Sequence, residues 1–204
     1  FSQQDPSIVV VGGRVQTASV PWVDLDNYHA VQLLMNHLIK LGHQKIGFIA
    51  GPREIVDGAE RASAFRTLRA ELKLPWKKDW IQPGEFSYGA GRAAAHRILS
   101  LPDPPTAIIA ANDSSALGAC EAVRTYQMTP GKEISIAGID GQEIAAEAEP
   151  AITTVTQPLE TMGERAAMIL LKKIEGDALP EEESKMIFKG ELIARPSTGP
   201  APKK

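Results

Sequence analysis

The chain has 204 residues, enough for one large domain or two small lobes with a sizeable core. It is 43% hydrophobic and 23% charged, with a net charge of -3 and a pI near 5.9, so it carries no electrostatic footprint for direct nucleic-acid or membrane-surface binding. Its one cysteine, Cys120, excludes an internal disulfide and fits a reducing cytoplasm, and no apolar run approaches the roughly 18 residues of a membrane helix.

The sequence opens without an initiator Met or a signal-peptide pattern, and is expected to begin in mid-protein. Residues 6–13 (PSIVVVGG) and 20–24 read as short strands. Asp26 is placed to cap a helix over residues 27–41, with Val31, Leu34, Met35, Leu38 and Ile39 inward and Gly42 as its stop. Residues 45–50 (KIGFIA) form an apolar strand ended by Gly51 and Pro52. A helix over residues 58–72 follows, with Ala62, Phe65, Leu68 and Leu72 inward. Residues 80–85 are a weaker strand, because Pro83 is awkward inside one. Residues 87–100 are a helix of small residues, and residues 107–111 are a buried strand.

That strand ends abruptly in Asn112 and Asp113, and a helix begins at Ser114. Residues 133–139 (EISIAGI) deliver Asp140 and Gly141 in the same way. A short strand over residues 152–155, a helix over 159–174 stopped by Gly176, and a closing strand over 186–194 complete the pattern. Leu159, Met162, Ala166, Ile169 and Leu170 form the apolar stripe of that helix, and residues 195–204 read as a frayed tail. Strands alternate with helices at about 25 to 30 residues per unit, the period of βαβ crossovers and a parallel sheet.

In open parallel sheets, ligands bind beyond the carboxyl ends of the strands. Those ends carry Gly51, Phe86, Asn112, Asp113, Asp140 and Gly141, and Arg61 falls in the first turn of the helix after Gly51. An aromatic face, an amide, carboxylates and a guanidinium suit a polyhydroxylated or heterocyclic small molecule. Each residue also has a structural reading. Asp113 before a helix favours a cap for Ser115 or Ala116. Asn112 can bond loop backbone, Asp140 can be a turn acid, Phe86 can be core, and Arg61 can pair with Glu60 or Asp57 on the surface. Convergence on one edge favours the binding reading for the group. His29, His37, His43 and His96 sit at no strand end, so His37 and His43 default to solvated or capping roles. Cys120 reads as a small core residue. No nucleophile elbow, zinc-helix motif, phosphate loop or dinucleotide fingerprint is present, so catalysis, metal and cofactor are not expected.

In order along the chain stand VDLDN with NHLIKLGHQKIGFIAGP, ERASAFRTL, PGEFSYGAG, PPTAIIAANDSSALGA, EISIAGID, AITTVTQPLETMGERAAMILL and ELIARPST. With these segments the chain resembles the effector-binding core of the lactose-repressor/galactose-repressor (LacI/GalR) family of bacterial transcription regulators. The resemblance implies an α/β, periplasmic-binding-protein-like fold of doubly wound parallel sheets, with one nearly complete C-terminal lobe plus part of the N-terminal lobe. It implies that residues 1–25 belong to the N-terminal lobe and residues 26–153 to the C-terminal effector-binding lobe. Residues 154–184 would return to the N-terminal lobe, residues 185–198 would close the C-terminal one, and 199–204 would be a tail.

The family's effector contacts fall on Asp57, Arg61, Phe86, Asn112, Asp140 and Gln157, the last mainly on the resemblance. The implied function is a cytoplasmic, homodimeric repressor sensing a sugar or sugar derivative in an interlobe cleft, a purine being the lesser choice. Operator DNA would be reached only through an N-terminal helix-turn-helix that this sequence does not contain. Where some relatives place a polar contact in the first lobe, this chain has Gly12 and Gly13. Arg61→Ala and Asp140→Ala are each expected to abolish the effector response while leaving the fold. The alternative is a periplasmic sugar-binding protein of a transport system.

Overall fold

The computed structural model describes residues 8–15, 20–177 and 179–203; the first residues of the strand read over 6–13 lie outside them. The described residues divide into two units, one drawn from Phe1–Asp26 with Gln157–Gly190, the other from Asn27–Thr156 with Glu191–Lys204. The chain starts in the smaller unit with β1 (Val10–Val11) and β2 (Trp22–Leu25). The larger unit then runs α1 (Asn27–Lys40), β3 (Ile46–Ala50), α2 (Val56–Glu71), a 3-10 turn at Lys78–Trp80, β4 (Ile81–Pro83) and α3 (Tyr88–Leu99). It continues with β5 (Ala107–Ala110), α4 (Asp113–Thr125), β6 (Ser135–Asp140), α5 (Glu143–Glu147) and β7 (Thr153–Thr156). The smaller unit resumes with α6 (Leu159–Glu175), α7 (Glu181–Ser184) and β8 (Lys185–Phe188), and β9 (Leu192–Ile193) belongs again to the larger.

The larger sheet has the order β4-β3-β5-β6-β7-β9, parallel throughout except for the antiparallel β7–β9 pair. Strands β3 and β5 are apolar on both faces because helices cover both. Phe48 of β3 stacks on Phe65 of α2 at 4.8 Å between ring centroids, whereas its neighbour Ile49 joins the cluster of Ala94, Ile98, Ala119 and Val123 from α3 and α4. Alternation along the strand sends the two side chains to opposite faces. The helices α3 and α4 touch backbone to backbone. A methyl added at Gly91 would overlap the Ser115 backbone, and one at Gly118 would overlap the Tyr88 carbonyl. Cys120 lies in this contact, where burial pushes its thiol up to about 12.

In the smaller unit β2 is central in a parallel sheet of order β1-β2-β8, and Val23 packs on Met162, Ala166 and Ile169 of α6. Gly176 ends α6 at φ 83, a left-handed conformation that glycine adopts without strain.

Several expectations are corrected. Pro83 ends an edge strand, where no partner needs its absent N–H. The strand read over 186–194 is two strands: β8 pairs with β2 in one unit and β9 with β7 in the other, so residues up to Gly190 join the smaller unit. Leu72 and Leu159, read as inward, are exposed because they stand at helix ends where no neighbour covers them. The tail is not frayed over residues 195–201. Ser197 is fully buried, accepting from Thr153 N at 2.8 Å and donating to Ile136 O at 2.6 Å, and Ala201 N donates to Leu41 O at 2.8 Å.

His43 is corrected as well. It is buried, with Nδ1 2.9 Å from the Thr106 hydroxyl and Nε2 2.9 Å from Ser135 Oγ and 3.0 Å from the Gly199 carbonyl. It clamps the same terminal segment against the amino ends of the strands. His37 reaches the segment too, at 2.9 Å from Thr198 Oγ1.

Candidate functional site

Strand β4 follows β3 on one side, and β5 then returns to its other side. The chain direction therefore switches between β3 and β5, and the loops leaving these strands part there. Such a switch point leaves a crevice at the carboxyl ends of the strands.

Arg61 occupies it. The residue is one turn into α2, but its side chain is only 2% exposed and does not pair on the surface. Its Nε donates to Asn27 Oδ1 at 2.8 Å, and Nη1 donates to the Ala111 carbonyl at 2.6 Å and to Asp140 Oδ1 at 3.2 Å. Nη2 lies 3.8 Å from Asp57 Oδ2. One planar fork thus ties α1, α2, the end of β5 and the end of β6 together, which a lysine's point charge would not do. Asn27 was not singled out from the sequence as a site residue. It is buried at the first turn of α1, and its Nδ2 donates to Asp57 Oδ1 and Glu60 Oε2, each at 2.9 Å. The only local signal was its place at a helix start, which says nothing of partners some thirty residues away.

Phe86 is half-buried, with its ring centroid 5.7 Å from the Arg61 guanidinium carbon. It packs so closely on Gly51 that any side chain there would overlap the ring. Glu85 and Phe86 both have φ of 51, a left-handed conformation rare outside glycine. Two such residues in succession cost about 1–3 kcal/mol each, and strain of this kind concentrates at binding sites.

Asn112 and Asp113 exchange the expected roles. Asn112, not Asp113, caps α4, accepting from Ser115 N at 2.9 Å, while its Nδ2 donates to Phe86 O at 3.0 Å. Asp113 turns into the sheet instead. Its Oδ1 accepts from Thr154 Oγ1 at 2.6 Å and its Oδ2 from Gln142 N at 2.8 Å. Burial pushes its carboxyl up to about 6, with the nearby Asp140 charge adding to the rise and hydrogen bonds from Thr154, Gln142 and the Gly141 amide opposing it. Asp140, at φ 124, projects from the end of β6 towards Arg61.

Asp57, Arg61, Phe86, Asn112 and Asp140 are therefore brought together within the larger unit. Gln157 is the first residue of the returning segment and belongs to the smaller one. A hollow of about 760 Å³ lined by Gly51, Arg53, Gly58, Ala62, Arg66 and Glu85 includes none of the five. Its charges come from exposed side chains of both signs. Among the described residues no cluster of His, Cys, Asp or Glu is arranged to hold a metal, and no helix is long and apolar enough to cross a membrane.

The family model of the periplasmic binding protein-like domain matches residues 35–198. The HTH-type transcriptional regulator MalR of Streptomyces coelicolor is 32% identical over 98% of this chain and 58% of its own length. A LacI family transcriptional regulator from Mycobacterium smegmatis superposes with a TM-score of 0.87 at 28% identity, over 97% of this chain and 72% of that one. The transcriptional regulator CelR, solved with cellobiose, gives a TM-score of 0.81 at 31% identity, over 93% and 58%. The chain spans little more than half the length of the curated relatives it matches.

Proposed function

The chain belongs to the periplasmic-binding-protein-like domain family, as the effector-binding region of a LacI-family regulator, and from that membership we propose that it senses a small neutral polyhydroxylated metabolite, a sugar or sugar derivative, at the Arg61 edge. The observation that carries the ligand class is the charge balance around Arg61. One guanidinium faces the carboxylates of Asp57 and Asp140, and Asn27 links it to Glu60 as well. Acceptors outnumber cations, so the edge suits hydroxyl donors and disfavours a phosphorylated or carboxylated effector. Phe86 offers an apolar face for a sugar ring, and Asn112 holds the loop that presents it. Asp140 is half-buried and takes hydroxyls, and Gln157 is a contact inferred from the family resemblance.

The chain binds its ligand rather than transforming it, without metal or cofactor. In the whole protein, a cytoplasmic homodimer, effector binding alters affinity for operator DNA through a segment outside this chain. Couplings of this kind are typically about 1–3 kcal/mol and are reciprocal between the two ligands. Regulation is favoured over transport because the relatives reported above are named as transcription regulators.

Isothermal titration of the chain with cellobiose, maltose, glucose 6-phosphate and hypoxanthine tests the reading. A neutral sugar should bind, and Asp140→Asn should weaken it by about tenfold or more, the loss expected of a charge-assisted hydrogen bond. Binding of glucose 6-phosphate or hypoxanthine with no response to either sugar would refute the ligand class.

A further inference from the structure

Asp113 is a carboxylate that the binding site does not use directly, and its surroundings are unusual for a residue at the start of a helix. It is fully buried and faces three elements: β6, β7 and the loop into α5. From β7, Thr154 Oγ1 donates to Oδ1 at 2.6 Å and itself accepts from Gly141 N at 3.2 Å. From the loop, Gln142 N donates to Oδ2 at 2.8 Å. On β6, Gly138 leaves the space that Asp113 fills, since a methyl there would overlap Oδ1. The N–H groups of Gly141 and of the Gly141–Gln142 peptide are thus anchored, through one hydroxyl or directly, on a single side chain from another element.

That peptide follows Asp140, whose φ of 124 is a costly conformation for a residue with a side chain. Such a backbone persists only where its surroundings over-determine it. We propose that Asp113 is the positioning residue of the effector site: through Thr154, Gly141 and Gln142 it holds the strained turn that aims Asp140 at Arg61, and uptake of a proton by Asp113 loosens that aim. The identification of Asp140 as an effector contact rests on the function proposed above; the bracket itself does not.

The charge relations are few. Asp140 is the acid that acts on Asp113 through space, and Thr154, Gln142 and Gly141 bring only neutral donors. An ionised Asp113 offers two acceptor oxygens and meets both donors. A protonated one must turn one oxygen into a donor facing a donor.

The test uses nuclear magnetic resonance on the 204-residue chain without added ligand. The Gln142 amide proton should move through one step as the pH is raised from 4.5 to 7.5. In Asp113→Asn the step should vanish, the Gln142 amide should exchange about tenfold faster, and the Asp140 carboxyl carbon should shift at pH 7.5. Thr154→Val should keep the step but move it upward by about one pH unit, since the hydroxyl stabilises the ionised form. It carries the test alone if Asp113→Asn fails to fold. A step that survives in Asp113→Asn, a step unmoved in Thr154→Val, or an Asp140 resonance indifferent to Asp113→Asn would each overturn the proposal. No effector enters these measurements. Failure of every sugar to bind would leave the bracket standing, and failure of the bracket would leave the sensor reading standing.

Discussion

Arg61 and Asp140 are 79 positions apart in the chain, and the guanidinium Nη1 stands 3.2 Å from the carboxylate Oδ1. Neither is a simple ligand hook. The same nitrogen also donates to the carbonyl that ends β5, so the pair joins the adjacent ends of β5 and β6.

Because Arg61 is buried with four partners, Arg61→Ala should damage the fold as well as the site, contrary to the expectation that it leaves the fold intact. It removes the cation facing the Asp140 and Asp57 carboxylates and the donor to Asn27 Oδ1 and the Ala111 carbonyl. Breaking a buried pair in this way costs about 3–5 kcal/mol. Urea denaturation should show a lower midpoint for Arg61→Ala and a much smaller change for Asp140→Asn. Equal midpoints would mean that Arg61 contributes nothing structural.

Asp113 and His43 predict opposite responses to acid. The Asp113 carboxyl is raised to about 6 by burial, so between about pH 4 and pH 6 the folded chain holds a proton that the unfolded chain has released. Stability from this group is complete below pH 4 and is lost by pH 6, an effect of roughly 3 kcal/mol. Denaturation across that range should show wild type losing ground to Asp113→Asn as the pH rises.

Burial lowers His43 below its ordinary 6.5, and the Gly199 carbonyl at Nε2 requires that nitrogen to carry the proton, leaving Nδ1 as acceptor for Thr106. Its contribution is complete above pH 6.5 and is lost as the pH falls through the lower folded value. Wild type should therefore lose stability relative to His43→Gln as the pH drops from 7 to 5. A parallel pair of curves would show that His43 is not held neutral.

Ser197→Ala removes an acceptor for Thr153 N and a donor for Ile136 O, both buried. The expected cost is about 1–3 kcal/mol. Deleting residues 196–204 should cost more, because the contacts of Ala201 and Gly199 go with it. A deletion variant as stable as the parent in urea would return this segment to the status of a loose end.

Gly51→Ala places a methyl where the Phe86 ring lies. The ring must turn away, and a sugar that binds the parent should bind this variant at least about tenfold more weakly if the ring supplies its apolar platform. Unchanged affinity would remove Phe86 from the site.

The α/β class and its βαβ period were legible in the sequence, because the alternation of apolar residues is a local property that a strand or helix imposes on its own neighbours. So was the set of strand-end residues, since a parallel sheet brings every carboxyl end to one edge whatever the details of packing. The choice of partners was not legible. Asn112 and Asp113 are adjacent and both can cap a helix; only the arrival of Thr154 and Gln142, 41 and 29 positions away, draws Asp113 inward and leaves the cap to Asn112. A segment rich in Pro, Ser and Gly reads as a loose tail until Ile136, Thr153 and His43 supply its hydrogen bonds. Periodicity records which face of an element is buried. Which polar group meets which is decided by distances that exist only once the chain has closed on itself.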